Sequence, residues 1–281
     1  MLFSAPFFLF ANGSIGGIFV STSPFAQKSI NRYKEIYSTG FGQKQLFQIL
    51  NEKENLRLYV REEIQKRNLP SVLEYLPFVE SEYSPLAVSK SGAKGMWQFM
   101  DNSISGLLKK SEYIDERFDP WISTKAALTK LEENFKLFDD WLLAIAAYNC
   151  GAGAMKRILE QSENSDFWFI CENGLLRDQS VQYVPKLLAI CSIAEKSELL
   201  SASGKKYFQD FEYIVTKNQF YLDRISSELN MSPSILRELN PALIKGCTPP
   251  ENLYTLRVPS GKRISVLYAL GKITMPEKTF N

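Results

Sequence analysis

Glu80-Ser81-Glu82-Tyr83-Ser84-Pro85-Leu86-Ala87-Val88-Ser89-Lys90-Ser91-Gly92-Ala93-Lys94-Gly95-Met96-Trp97-Gln98 joins a carboxylate at the end of an apolar helical pattern to a loop holding two glycines. Counting back from Glu80, Leu69, Leu73 and Leu76 recur at helical spacing, which predicts a helix whose carboxylate projects from its apolar side. Such a group is driven toward its neutral form, and an acid that keeps its proton near neutrality can protonate a glycosidic oxygen. Taken singly, a helix-end carboxylate more often reaches water or caps a backbone. The context argues otherwise. Gly92 and Gly95 flank Ala93, a pattern suited to positive φ or close backbone approach. Trp97 and Gln98 then offer an aromatic face for a sugar ring and an amide that both donates and accepts hydrogen bonds.

Further along stand Ala147-Tyr148-Asn149-Cys150-Gly151 and Gln182-Tyr183-Val184-Pro185. Together with Glu80-Ser81 and Ser89 to Gln98 they make four ordered motifs, a far more specific signal than any single short pattern. Their order resembles the soluble lytic transglycosylase domain, related to goose-type lysozyme, whose members cleave the glycan strands of peptidoglycan. Asp115 to Pro120 and Ser123 to Ala127 are similar to the subgroup of membrane-bound lytic murein transglycosylase D. The resemblance implies a catalytic Glu80 and substrate contacts from Ser89, Gln98, Tyr148, Asn149 and Tyr183, with no metal and no cofactor. It also implies peptidoglycan as partner, with envelope or cell-division proteins as further candidates and the oligomeric state open. On residue type alone, Tyr148 would be read as a core tyrosine with one satisfied hydroxyl, whereas for Tyr183 packing against the core and a catalytic role stand equal.

The reaction implied by the resemblance needs one carboxylate. Ordinary glycosidases use two, and Glu82, two residues along a helix, points away from Glu80. A transglycosylase lets the muramic acid C6 hydroxyl close onto C1, leaving a 1,6-anhydro end. The alternatives are a hydrolytic muramidase, which would recruit Asp101 or Asp115, and an inactive glycan-binding envelope protein.

Composition narrows the field further. The chain has 281 residues, 45% hydrophobic, enough to bury a full core and a smaller second domain. A net charge of +2 without basic-aromatic clusters gives no ground for nucleic-acid binding. With no histidine, histidine triads and most catalytic zinc sites are excluded, leaving carboxylates for acid-base work. The four cysteines match no metal spacing; Cys150 and Cys191 read as small buried hydrophobes, with Cys171 and Cys247 left open.

Residues 1–26 carry an apolar segment and no charged side chain, which reads as an export signal cut after Ala26. The expected location is therefore the periplasm or envelope, with membrane association through an uncleaved N-terminus as the alternative. The fold class expected is mainly α. A lysozyme-like helical domain spans 27–205, with coarse helicity from Phe41 to Ala194. Helices are expected at Thr124 to Phe138, at the uniformly apolar stretch after Asp140, and from Gln182 to Ala194 with Pro185 in its first turn. Past Lys205 the order β-α-α-β resembles a lysin motif over 206–262, lacking the usual Gly-Asp-Thr, with a helical tail over 263–281.

Overall fold

The computed structural model describes residues 13–197, 205–250 and 252–274. The chain divides into two compact units, each assembled from separated segments: Met1–Tyr83 with Ala127–Lys206, and Ser84–Ala126 with Tyr207–Asn281. These units do not coincide with a division at residue 205, because 84–126 groups with the C-terminal segment.

In the first unit a two-residue hairpin, β1 (Ser14–Ile15) and β2 (Ile18–Phe19), leads into α1 (Pro24–Ser38), α2 (Gly40–Glu52), α3 (Glu54–Lys66) and α4 (Leu76–Ser81). The helix α5 (Pro120–Phe138) begins in the second unit and ends in the first, followed by α6 (Trp141–Cys150), α7 (Ala152–Gln161), α8 (Phe167–Glu172) and α9 (Asp178–Lys196). The mainly helical expectation holds, with one correction: residues 82–119 form turns and two short 3₁₀ segments rather than helix.

Residues 1–12 of the expected export signal lie outside the described residues; residues 13–26 are folded. Gly16 turns the hairpin at φ 57° and its carbonyl accepts from the Val72 N–H at 3.0 Å. A methyl group at Gly16 would lie 2.6 Å from Val72 Cβ and 2.7 Å from Cys191 Sγ, so only glycine lets the turn seat there. Ser23 caps α1 by accepting from the Ala26 N–H, and Ala26 is fully buried, so the expected cut after Ala26 falls inside a packed first turn.

The long helix expected to run up to Glu80 is also corrected. α3 stops at Lys66, a 3₁₀ turn spans Ser71–Tyr75, and α4 supplies only its last turn and a half before Glu80. Leu73 and Leu76 are fully buried as the periodicity predicts, but Pro70 and Pro77 interrupt a continuous helix. The turn is anchored by Glu74, which accepts from Arg57 Nη1 at 2.7 Å and Arg61 Nε at 2.6 Å inside the core. α5 starts four residues earlier than expected because Asp119 accepts from the Trp121 and Ile122 N–H groups. Pro185 lies mid-way along α9 rather than in its first turn.

In the second unit, β3 (Phe211–Thr216) pairs antiparallel with β4 (Tyr254–Pro259), Phe211 opposite Pro259 and Thr216 opposite Tyr254. Between them lie α10 (Leu222–Glu228) and α11 (Pro233–Leu239), giving the expected β-α-α-β order. The tail continues as α12 (Arg263–Thr274), whose Val266 and Leu270 join a core with Leu222, Ile225, Leu236 and Leu256. All four cysteines are free thiols; Cys171, Cys191 and Cys247 are buried, whereas Cys150 is half-buried, which corrects its placement in the core.

Candidate active site

Glu80 owes its position to the two residues after α4 as much as to the helix itself. α4 ends at Ser81, and Glu82 and Tyr83 both adopt left-handed backbone, at φ 54° and 60°. Two successive non-glycine residues there cost of order 1–3 kcal/mol each. They are held because the Tyr83 ring is fully buried and its hydroxyl donates to the Glu74 carbonyl. The reversal turns Glu82 outward, where it accepts from Gln45 Nε2 at 2.9 Å, and leaves Glu80 facing the interior.

Glu80 is flanked by α9 and α6. The Tyr183 hydroxyl donates to Glu80 Oε1. Burial pushes the carboxyl up to about 7, opposed by the Tyr183 hydrogen bond and the Lys186 ammonium. Burial, Glu80 and that hydrogen bond hold the Tyr183 phenol well above its ordinary range, and burial with Glu80 does the same to Tyr148. Both tyrosines therefore stay neutral donors. Among the described residues of the first unit, no carboxylate adds to the shift on Glu80.

α6 delivers Tyr148 and Asn149 because Asp140 caps its start, accepting from the Leu143 N–H at 2.9 Å, and Leu142 to Ala147 are buried on every side. Ser180 Oγ donates to Asn149 Oδ1 at 2.8 Å, which fixes the amide and leaves its N–H groups available to an outside acceptor. Ser180, Tyr183 and Lys186 stand at successive three-residue steps along α9, one face of one helix. Ser180 and Lys186 were missed in the sequence, although that spacing around Tyr183 was there to be read.

Lys186 is half-buried, makes no ion pair within 4 Å among the described residues, and lies 6.0 Å from the Tyr37 ring centroid. Burial lowers its pKa, opposed by the Glu82 and Glu80 carboxylates. Among the described residues, the titratable groups that couple to Glu80 include Tyr183 and Lys186 on α9 and Tyr148 on α6. Replacing Lys186 with Met removes a cation that lowers the Glu80 pKa, so the pH at which the Glu80 proton is lost should move upward. Titrating Glu80 in Lys186→Met, with Lys186→Arg as the charge-keeping control, checks this; an unmoved titration refutes it.

Ser89 and Gln98 lie in the second unit, on the glycine loop. Gly92 and Gly95 have φ 88° and 80°, as their pattern predicts. Ser89 Oγ accepts from the Ala93 N–H at 2.9 Å and is 2.9 Å from Ser91 Oγ; Gln98 Nε2 donates to the Gly95 carbonyl at 2.7 Å. Each side chain thus helps hold its own loop. Trp97 corrects the sequence reading: it is fully buried, with Nε1 donating to Thr124 Oγ1 at 2.9 Å, so it offers no face to a sugar. Asp115 is buried against Arg117, and Asp101 pairs with Lys110 and Arg117, so both acids considered for a second role are already engaged. Among the described residues no group of three His, Cys, Asp or Glu is placed to hold a metal ion, and no helix is long and apolar enough to cross a membrane.

A half-buried acid raised toward neutrality beside two neutral tyrosines and an oriented amide defines a class. Residues 58–170 match the family described as Transglycosylase SLT domain. Residues 210–274 match the LysM-like domain of lytic transglycosylase MltD. The chain is 36% identical over 146 residues to membrane-bound lytic murein transglycosylase D of Escherichia coli K12, a match covering 50% of this chain and 31% of that protein. It is 39% identical over 109 residues to a putative tributyltin chloride resistance protein of Alteromonas, over 38% of this chain and 52% of that protein. The chain thus spans from about a third to about half the length of these relatives. An inactive mutant of the lytic transglycosylase Slt from Pseudomonas aeruginosa aligns with TM-score 0.43 and 22% identity, over 55% of this chain and 27% of that one.

Proposed function

We propose that this protein cleaves the β-1,4 bond between N-acetylmuramic acid and N-acetylglucosamine in peptidoglycan by lytic transglycosylation, as part of an envelope-located enzyme. The observation that carries the reading is Glu80, a carboxyl raised to about 7 by burial and hydrogen-bonded by Tyr183. At neutral pH a substantial fraction of the enzyme holds the proton on Glu80, so the same group serves as acid and then as base. Glu80 gives its proton to the bridging oxygen as the bond from C1 to that oxygen breaks. The carboxylate then takes the proton of the muramic acid C6 hydroxyl as O6 bonds to C1. Glu80 ends protonated, no water is consumed, and the glycan carries a 1,6-anhydro ring. Positive charge at C1 is relieved by the sugar's own N-acetyl group, with Asn149 as a donor to it and Tyr148 and Tyr183 beside Glu80. Ser89 and Gln98 contact the glycan through the groups their loop bonds leave open.

Among the described residues of the first unit no second carboxylate acts on Glu80 to prepare a water, which favours closure by the tethered hydroxyl over attack by solvent. Digestion of purified peptidoglycan followed by mass spectrometry tests this. The products should be lighter by one water than hydrolysed muropeptides and resistant to borohydride reduction. Mostly reducible ends would make the protein a muramidase.

A further inference from the structure

The lysin-motif-like segment is tied to residues 84–126 through buried polar contacts. Arg257 on β4 is buried; its Nη1 and Nη2 donate to the two oxygens of Asp119, itself fully buried. The guanidinium lies 4.5 Å from the Trp121 ring centroid. Asn240, just after α11, fixes the Arg257 backbone from both sides: its Nδ2 donates to the Arg257 carbonyl at 2.8 Å and its Oδ1 accepts from the Arg257 N–H at 2.9 Å. Backbone bonds run alongside, from the Asp115 N–H to the Ala242 carbonyl at 2.9 Å and from the Ile244 N–H to the Tyr113 carbonyl at 3.1 Å. A module joined by a flexible linker would show none of this.

What Arg257 grips is the foundation of the glycine loop. Asp119 caps α5, and the first turns of α5 carry Thr124, which accepts the Trp97 indole N–H. Gly95 rests against the carbonyl of Arg117, two residues before Asp119, so closely that a methyl there would lie 1.7 Å from that oxygen. From Arg257 to the loop is therefore one continuous set of buried contacts.

We propose that Arg257 is a positioning residue, and that the lysin-motif-like segment holds the Ser89 to Gln98 loop in shape as a fixed part of the enzyme instead of serving as a detachable glycan-binding domain. Assigning the loop to catalysis rests on the function proposed above; the coupling does not. Breaking one side of a buried pair leaves the other charge without a partner, a large penalty that removing both charges avoids.

Hydrogen exchange on the full chain tests the coupling without reference to activity. In Arg257→Met the amides of Gly95, Phe99 and Ser123 should exchange roughly a hundredfold faster, together with those of β3 and β4. Adding Asp119→Asn removes the orphaned carboxylate and keeps a good helix cap, so the double variant should recover to within about tenfold of the parent. Should Arg257→Met fail to fold, Arg257→Lys carries the test, keeping the charge but losing the two-pronged grip, and should speed the same amides by less. Faster exchange confined to β3 and β4, with Gly95 and Phe99 at parental protection, would overturn the proposal.

Discussion

Glu80→Gln should lower the rate of glycan cleavage by roughly 10²–10⁴-fold, because the amide keeps the shape and accepts the Tyr183 hydrogen bond but has no proton to give. Glu82→Gln, at an exposed residue that accepts from Gln45, should change the rate little. The same substitution at Glu80 should stabilise the protein at high pH. The folded carboxyl titrates at about 7, above its ordinary 4.5, so the folded state binds the proton more tightly than the unfolded chain. Its contribution is fully present below pH 4.5 and is lost as pH rises through 7. At pH 8 the parent carries a half-buried carboxylate that Gln does not, a difference of about 3 kcal/mol. Denaturant melts at pH 4.5 and pH 8 read it directly. Equal stability of parent and variant at pH 8, or equal loss of activity in both variants, would remove Glu80 from the acid-base role.

Gly95→Ala should cost about 3–5 kcal/mol of stability, among the largest effects open to a single methyl group. Its backbone sits at φ 80°, and the added carbon would lie 1.7 Å from the Arg117 carbonyl oxygen, which is backbone and cannot swing aside. Gly92→Ala separates the two causes. At φ 88° with no atom within 4 Å of the added carbon, it should lose only the left-handed penalty, about 1–2 kcal/mol. Equal losses at the two positions would show that backbone conformation alone decides both.

How much of this was legible depended on whether the signal was local. The buried α6 followed from an uninterrupted apolar run after a capping Asp140, and the β-α-α-β order from alternation and turn residues. Trp97 was misread because residue type does not say which way a loop faces; the answer lay in Thr124, 27 residues on. The left-handed pair Glu82 and Tyr83 left no trace, since neither is glycine and the force holding them is the burial of Tyr83. The division into units was hidden for the same reason: Asp119 and Arg257 are 138 residues apart, and nothing near either one names the other.

That separation also sets an order of events. The first unit has all its residues once the chain reaches Lys206, but residues 84–126 must wait for partners near the far end. Joining Asp119 to Arg257 closes a 138-residue loop, at about 4 kcal/mol of chain entropy before any contact rewards it. Contacts of such long range form late in folding. The glycine loop is therefore among the last parts to set, and a chain released before residue 257 would hold Glu80 in a complete first unit while its glycine loop lacked the grip of Arg257 on Asp119.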